Sequence, residues 1–339
     1  MKVFVAGATG AMGRRLVPML VAGGYEVAAM TRSPQQAAAL RAAGAQPVIA
    51  QALDRGAVVE ALRQSRPEVV IHQLTGLAGV KNFKNFDREF ALTNRLRTEG
   101  TDYLLEGARA AGAGRFIAQS YGGWTYERSG TALKTEDDPL DAAPPANQTA
   151  SLAALRYLDE KVAGAAGLAG LAFRYANFYG PGTSIGQGGD IVAMVRKRQL
   201  PVIGTGAGVW SFVHIDDAAT ATVAAVRAGA ADIYNIVDDE PAPVADWLPE
   251  LARAVGARPP RRVPVWLGRA AAGDAGVSMM TQIRGMSNAK AKRELGWSPR
   301  YPSYREGFLA GLADPASPEK TSPEKTGTAA TSTEANSAR

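Results

Sequence analysis

The sequence predicts an α/β chain built on a parallel, doubly wound sheet with a smaller, discontinuous C-terminal lobe. Three observations lead there. Over the first 120 residues short β-branched runs alternate with helix-like stretches, the pattern of parallel strands joined by crossover helices. A glycine-rich turn, Gly7-Ala8-Thr9-Gly10-Ala11-Met12-Gly13, follows the first apolar run and opens an amphipathic stretch. Beyond residue 178 strand-like segments recur between Gly- and Pro-rich runs such as Tyr179-Gly180-Pro181-Gly182-Thr183, so the chain leaves the sheet and returns to it.

Strands are expected at residues 3–6, 26–30, 47–49, 69–73 and 115–119, with helices over 14–22, 34–43, 57–63 and 87–111 between them. The polar run 124–149, with Glu136-Asp137-Asp138-Pro139 and Pro144-Pro145, reads as a surface excursion with solvated carboxylates. A helix over 150–166 and a strand over 171–175 follow, then strands at 210–215 and 233–237. Two interleaved units result: residues 1–178 plus 209–237 carry the sheet, and 179–208 plus 238–312 form the smaller lobe. From 313 to 339 the chain turns to Ser, Thr, Pro, Glu, Lys and Ala, repeats Ser-Pro-Glu-Lys-Thr twice, and is expected to be disordered.

Composition excludes several function classes. The chain has 339 residues, 46% of them apolar and 21% charged, as in a globular protein. Its longest run without a charged side chain, 199–215, is 17 residues with three glycines inside, so no membrane span is expected. No cleavable presequence precedes Lys2-Val3-Phe4-Val5, which points to a cytoplasmic protein. There is no cysteine and only His72 and His214, which removes disulfides, thiol nucleophiles and Cys- or His-rich metal sites. The net charge of +6 is spread over short separate clusters such as Arg196-Lys197-Arg198, and without a basic stripe interleaved with aromatics no nucleic acid is expected as partner. A homodimer is compatible with the sequence, which does not set the oligomeric state.

Strand, glycine turn and helix stand in the order that a dinucleotide-binding Rossmann motif requires. Gly7 permits the tight turn, Gly10 lets the backbone approach a pyrophosphate, and Gly13 permits close helix packing, with the helix N-terminus facing the anion. Gly7, Thr9, Gly10, Ala11, Met12 and Gly13 are therefore the candidate cradle. An acid closing the second strand would bind the ribose hydroxyls of NAD, but Thr31-Arg32-Ser33 stands there. A guanidinium and two hydroxyls suit a 2′-phosphate, so NADP is expected, with NAD as the alternative. Arg14 and Arg15 either add charge or are solvated helix arginines.

From residue 1 to about 312 the chain resembles the extended short-chain dehydrogenase/reductases, the NAD-dependent epimerase/dehydratase family. The matching residues are the glycine motif, Val70-Ile71-His72, Gly100-Thr101, and Arg115-Phe116-Ile117 leading to Ser120. Further matches are Arg174-Tyr175-Ala176-Asn177-Phe178-Tyr179-Gly180-Pro181-Gly182, Phe212-Val213-His214-Ile215-Asp216-Asp217-Ala218, and Leu295-Gly296-Trp297-Ser298-Pro299. The resemblance implies hydride exchange on a small carbonyl or hydroxyl substrate by an oxidoreductase, epimerase or dehydratase.

The family's usual acid/base couple is a Tyr-x-x-x-Lys after a Ser or Thr, one helical turn placing phenol and ammonium on one face. Tyr157-Leu158-Asp159-Glu160-Lys161 has the spacing, but counting from Arg174 puts the family's pair near Thr149 and Ala153. Tyr157 and Lys161 are thus either the couple or the flank of the apolar stripe Leu155, Leu158 and Val162. Ser120 or Tyr121 fills the hydroxyl position. On the substrate side the resemblance implies Asn177, Trp210 and His214. Trp210 stands where sugar-nucleotide members carry an Arg, and His214 also has a structural reading. Asp216-Asp217 are expected to cap the following helix. The reading from a different class is a non-catalytic NADP-binding redox sensor.

Overall fold

The computed structural model describes residues 1–77 and 83–313, so nearly all of the expected tail lies outside it. Its central sheet holds β1 (Lys2–Ala6), β2 (Glu26–Thr31), β3 (Gln46–Ile49), β4 (Val69–His72), β5 (Arg115–Tyr121), β6 (Ala169–Tyr175) and β7 (Asp232–Ile236). All seven are parallel, in the order β7-β6-β5-β4-β1-β2-β3. Apolar residues on both faces of β1 explain why it lies inside. Val3, Val5 and Ile117 pack under Leu16 and Leu20 of helix α1 (Ala11–Ala22). Phe4 and Phe116 face the other way, against a layer that includes Leu62 and Leu104. The chain order reverses beside β1, with β2 on one side and β4 on the other, opening a crevice at the strands' carboxyl ends.

The second layer holds α3 (Arg55–Ser65), α4 (Ala91–Arg97), α5 (Glu99–Ala110) and α6 (Thr149–Ala163), while α2 (Ala37–Ala42) follows β2 and α7 (Ile215–Ala224) packs beside α1. Helix α6 belongs to two cores. Leu158 and Val162 lie on the sheet, whereas Leu152 and Leu155 join a separate cluster with Phe86, Trp124, Trp210, Phe212 and Trp247. At about 1.5–3 kcal/mol for each large apolar side chain, these faces fix the helix in rotation.

Three expectations are corrected. The helix over 87–111 is broken into Phe86–Glu89, α4 and α5. At the second break Thr98 leaves the helical region with ψ −82°, and its hydroxyl donates to the Asn94 carbonyl at 3.0 Å alongside its own amide. The carboxylates of the 124–149 excursion are engaged: Glu136 accepts from the Asn235 amide at 2.7 Å, and Asp141 pairs with Arg128 at 2.9 Å. The cap of α7 is His214, whose Nδ1 accepts from the Asp216 amide at 3.1 Å. Asp217 instead accepts from the amides of Arg300 and Tyr301, holding the C-terminal segment.

Candidate functional site

The glycine turn is shaped by contacts that only hydrogen allows. Gly7 has φ +90°, and a Cβ there would fall 2.6 Å from the Gln73 carbonyl oxygen. A Cβ on Gly13 would fall 2.4 Å from the Gly7 oxygen. At Gly10 the nearest atom to such a Cβ is that same oxygen at 3.4 Å, so this side of the loop is open. Ala11 and Met12 start α1, whose first turn carries no acid, and its first amides have no partner within the helix. The Thr9 carbonyl is held by Arg14 Nε at 3.0 Å. This cradle fits the pyrophosphate of a dinucleotide. Arg15 does not join it, being paired with Asp216 through Nε at 2.5 Å and Nη2 at 3.0 Å.

At the end of β2 the Thr31 hydroxyl accepts from the Ser33 amide at 3.2 Å, and Ser33 Oγ donates to Gln35 at 2.8 Å. Arg32 between them is exposed and, among the described residues, has neither hydrogen bond nor ion pair. A cation on a built turn, with no carboxylate beside it, fits a ribose phosphate.

Ser120 and Tyr121 close β5 and, as neighbours on a strand, point to opposite faces. Ser120 turns to α6; its buried hydroxyl lies near the carboxyl of Asp159 but, like Asp159 Oδ1, has no hydrogen-bond partner among the described residues. Burial pushes that carboxyl up, against the Arg174 guanidinium, whose Nε donates to it at 2.7 Å. Tyr121 donates its phenol proton to Asn177 Oδ1 at 2.9 Å, while Asn177 Nδ2 donates to the Ser211 carbonyl at 3.0 Å. Burial pushes the Tyr121 phenol up, and the charge of Arg97 pulls it back.

Tyr157 and Lys161 are not brought to this place. The Tyr157 hydroxyl donates to Asp102 of α5, an exposed carboxylate, and partial burial and then Asp102 push the phenol up to about 12. The Lys161 ammonium lies 5.3 Å from the same ring. Thr149 and Ala153 are exposed, whereas Gln148 is buried with its amide nitrogen unpartnered. Trp210 is a core residue of the second cluster, its indole donating to the Met279 carbonyl at 2.8 Å. His214 binds the Gly311 carbonyl at 2.9 Å through Nε2, and burial lowers its pKa. Its ring is committed on both nitrogens.

Sequence reasoning missed Arg97 and Gln148. An Arg in the helix expected over 87–111 gives no sign of burial until the break at Thr98 is known.

Fold, cradle and strand-end hydroxyls define a dinucleotide-dependent α/β enzyme. Residues 3–237 match the model of the NAD dependent epimerase/dehydratase family, and the chain belongs to that family. It is an NAD(P)-dependent enzyme of the oxidoreductase and epimerase kind. It is 44% identical over 309 residues to a Streptomyces 3-diazoavenalumate denitrifying reductase, covering 91% of this chain and 99% of that one. The solved UDP-glucose 4-epimerase of Thermotoga maritima with UDP-glucose shares the fold at 24% identity and a TM-score of 0.71, over 92% of this chain and 97% of that one. The Thermus thermophilus UDP-glucose 4-epimerase with NAD does so at 24% and 0.69, over 92% and 98%. Among the described residues no helix is long and apolar enough to cross a membrane.

Proposed function

We propose that the protein is an NADPH-preferring reductase that replaces an arenediazonium group by hydrogen and releases dinitrogen. The observation that carries this is the commitment of both phenols: Tyr157 to Asp102 and Tyr121 to Asn177. Reduction of a carbonyl leaves an alkoxide that must take a proton, the task of a lowered tyrosine beside a lysine. Here both phenols are raised. Reduction of an arenediazonium needs no proton: a C–H bond forms, the C–N bond breaks, and its electron pair leaves with N2. The similarity to a reductase whose name joins a diazo substrate to loss of nitrogen supports the same reading.

In this reading the loop from Gly7 to Gly13 holds the pyrophosphate and Thr31, Arg32 and Ser33 hold the 2′-phosphate. Bound there, the reduced nicotinamide supplies the hydride. Residues 1–178 plus 209–237 carry the cofactor, and 179–208 plus 238–312 cover the substrate. Ser120 and Asp159 orient the floor of the site, and Tyr121 with Asn177 forms its wall.

The test is incubation with an arenediazonium salt and NADPH deuterated at the transferred position. The expected result, above a protein-free background, is one N2 per NADPH and deuterium on the ring carbon that bore nitrogen. NADPH oxidation by ketones, with no N2 from any arenediazonium, overturns the proposal.

A further inference from the structure

Among the described residues three cations are buried, and two of them have carboxylates. Lys134 pairs with Asp138 at 3.2 Å and Arg174 with Asp159 at 2.7 Å. Arg97 is 6% exposed and, among the described residues, forms no ion pair. Its one hydrogen bond, from Nη1 to Asn94 Oδ1, is 3.4 Å long, the weak end of the range. A guanidinium has five N–H donors and cannot shed its charge at neutral pH, so burying it nearly unpartnered is costly unless an anion arrives.

The helix that ends in Arg97 is fixed. His72 Nδ1 accepts from the Leu74 amide, so Nε2 donates to the Leu96 carbonyl at 3.2 Å. Thr93 Oγ1 accepts from the Gly76 amide, and Asn94 Nδ2 donates to Ser151 Oγ, each at 3.0 Å. The groups that act on the Arg97 charge are Asp159, whose Oδ2 is held by Arg174 and whose buried Oδ1 has no hydrogen-bond partner, and the Tyr121 phenol, so one carboxylate is shared by two guanidinium groups and a positive charge is left over. Tyr121 in turn packs, as Phe90 does, on the cluster containing Trp124. A preplaced cation next to aromatic surface suits an arene with a negative oxygen.

We propose that Arg97 is a specificity-determining residue that binds an anionic oxygen, carboxylate or phenolate, of an aromatic substrate beside Tyr121. This rests on the arene reading above. Such an oxygen accepts two parallel N–H bonds from the guanidinium, which orients the ring.

The test is calorimetric titration of the NADP⁺-loaded protein with cinnamate, cinnamamide and 4-nitrophenolate, three unreactive probes. We expect the wild type to bind at least one anion about tenfold or more tightly than the amide. Cinnamate or 4-nitrophenolate as the preferred probe tells which oxygen is read. Arg97→Gln should erase the preference, and Arg97→Lys, which keeps the charge but not the fork, should retain part of it. Equal binding of anions and amide by the wild type overturns the proposal. So does an Arg97→Lys protein, folded by circular dichroism, with undiminished preference, or an Arg97→Gln protein that loses NADPH affinity instead. Failure to release N2 with the anion preference intact removes only the diazonium reading.

Discussion

The Tyr157 hydroxyl meets both oxygens of the Asp102 carboxylate, at 2.8 and 2.7 Å, in the groove between α6 and α5. A phenol whose proton is shared with an anion is held protonated. The only Tyr-x-x-x-Lys of α6 thus has its phenol engaged at the contact between two helices.

Tyr157→Phe should change turnover by less than about threefold, where loss of a general acid costs roughly 10²–10⁴-fold. Tyr121→Phe should raise the KM of the substrate and leave NADPH affinity unchanged. Steady-state kinetics with both variants decide it, and a collapse of turnover in Tyr157→Phe returns the couple to the mechanism.

Arg32→Ala should weaken NADPH binding about tenfold or more, the usual scale for a lost charge-assisted contact, and leave NADH binding nearly unchanged. Titration calorimetry with the two cofactors measures this directly. Equal losses for both would mean that Arg32 does not read the 2′-phosphate.

Gly10→Ala and Gly13→Ala should part company. The first adds a methyl whose nearest neighbour is 3.4 Å away, and the second drives one to 2.4 Å from the Gly7 oxygen. Gly10→Ala should keep the thermal midpoint and lose cofactor affinity, because the methyl stands on the open side of the cradle. Gly13→Ala should lower both. Thermal melts with and without NADPH separate the two.

Burial holds the pKa of His72 down to about 4 from 6.5. The unfolded chain then binds a proton that the folded chain refuses, so stability falls as the pH drops from 6.5 to 4 and is fully present above 6.5. The shift corresponds to about 3 kcal/mol, and His214, also lowered by burial, adds in the same direction. Urea unfolding at pH 7, 5 and 4 should show the loss, with a shallower slope for His72→Gln. Parallel slopes for the two proteins would remove His72 as its source.

The sequence by itself determined the order of strands and helices, the glycine cradle and the missing acid after β2. Those features are local: a period of two or 3.6 residues, a turn that only glycine can make, a residue type at the end of a strand. It also marked Leu155, Leu158 and Val162 as the apolar stripe of α6, all of which are buried. Only the tertiary structure decided what the neighbours of that stripe do. Tyr157 stands about 100° round the helix from Leu158, and the packing of the stripe on two cores turns it toward Asp102. Arg97 had no local signal at all, because its burial follows from the break at Thr98 and from the neighbours that α4 meets in space. Charge and spacing say what a side chain can do; the docking of its helix decides what it touches.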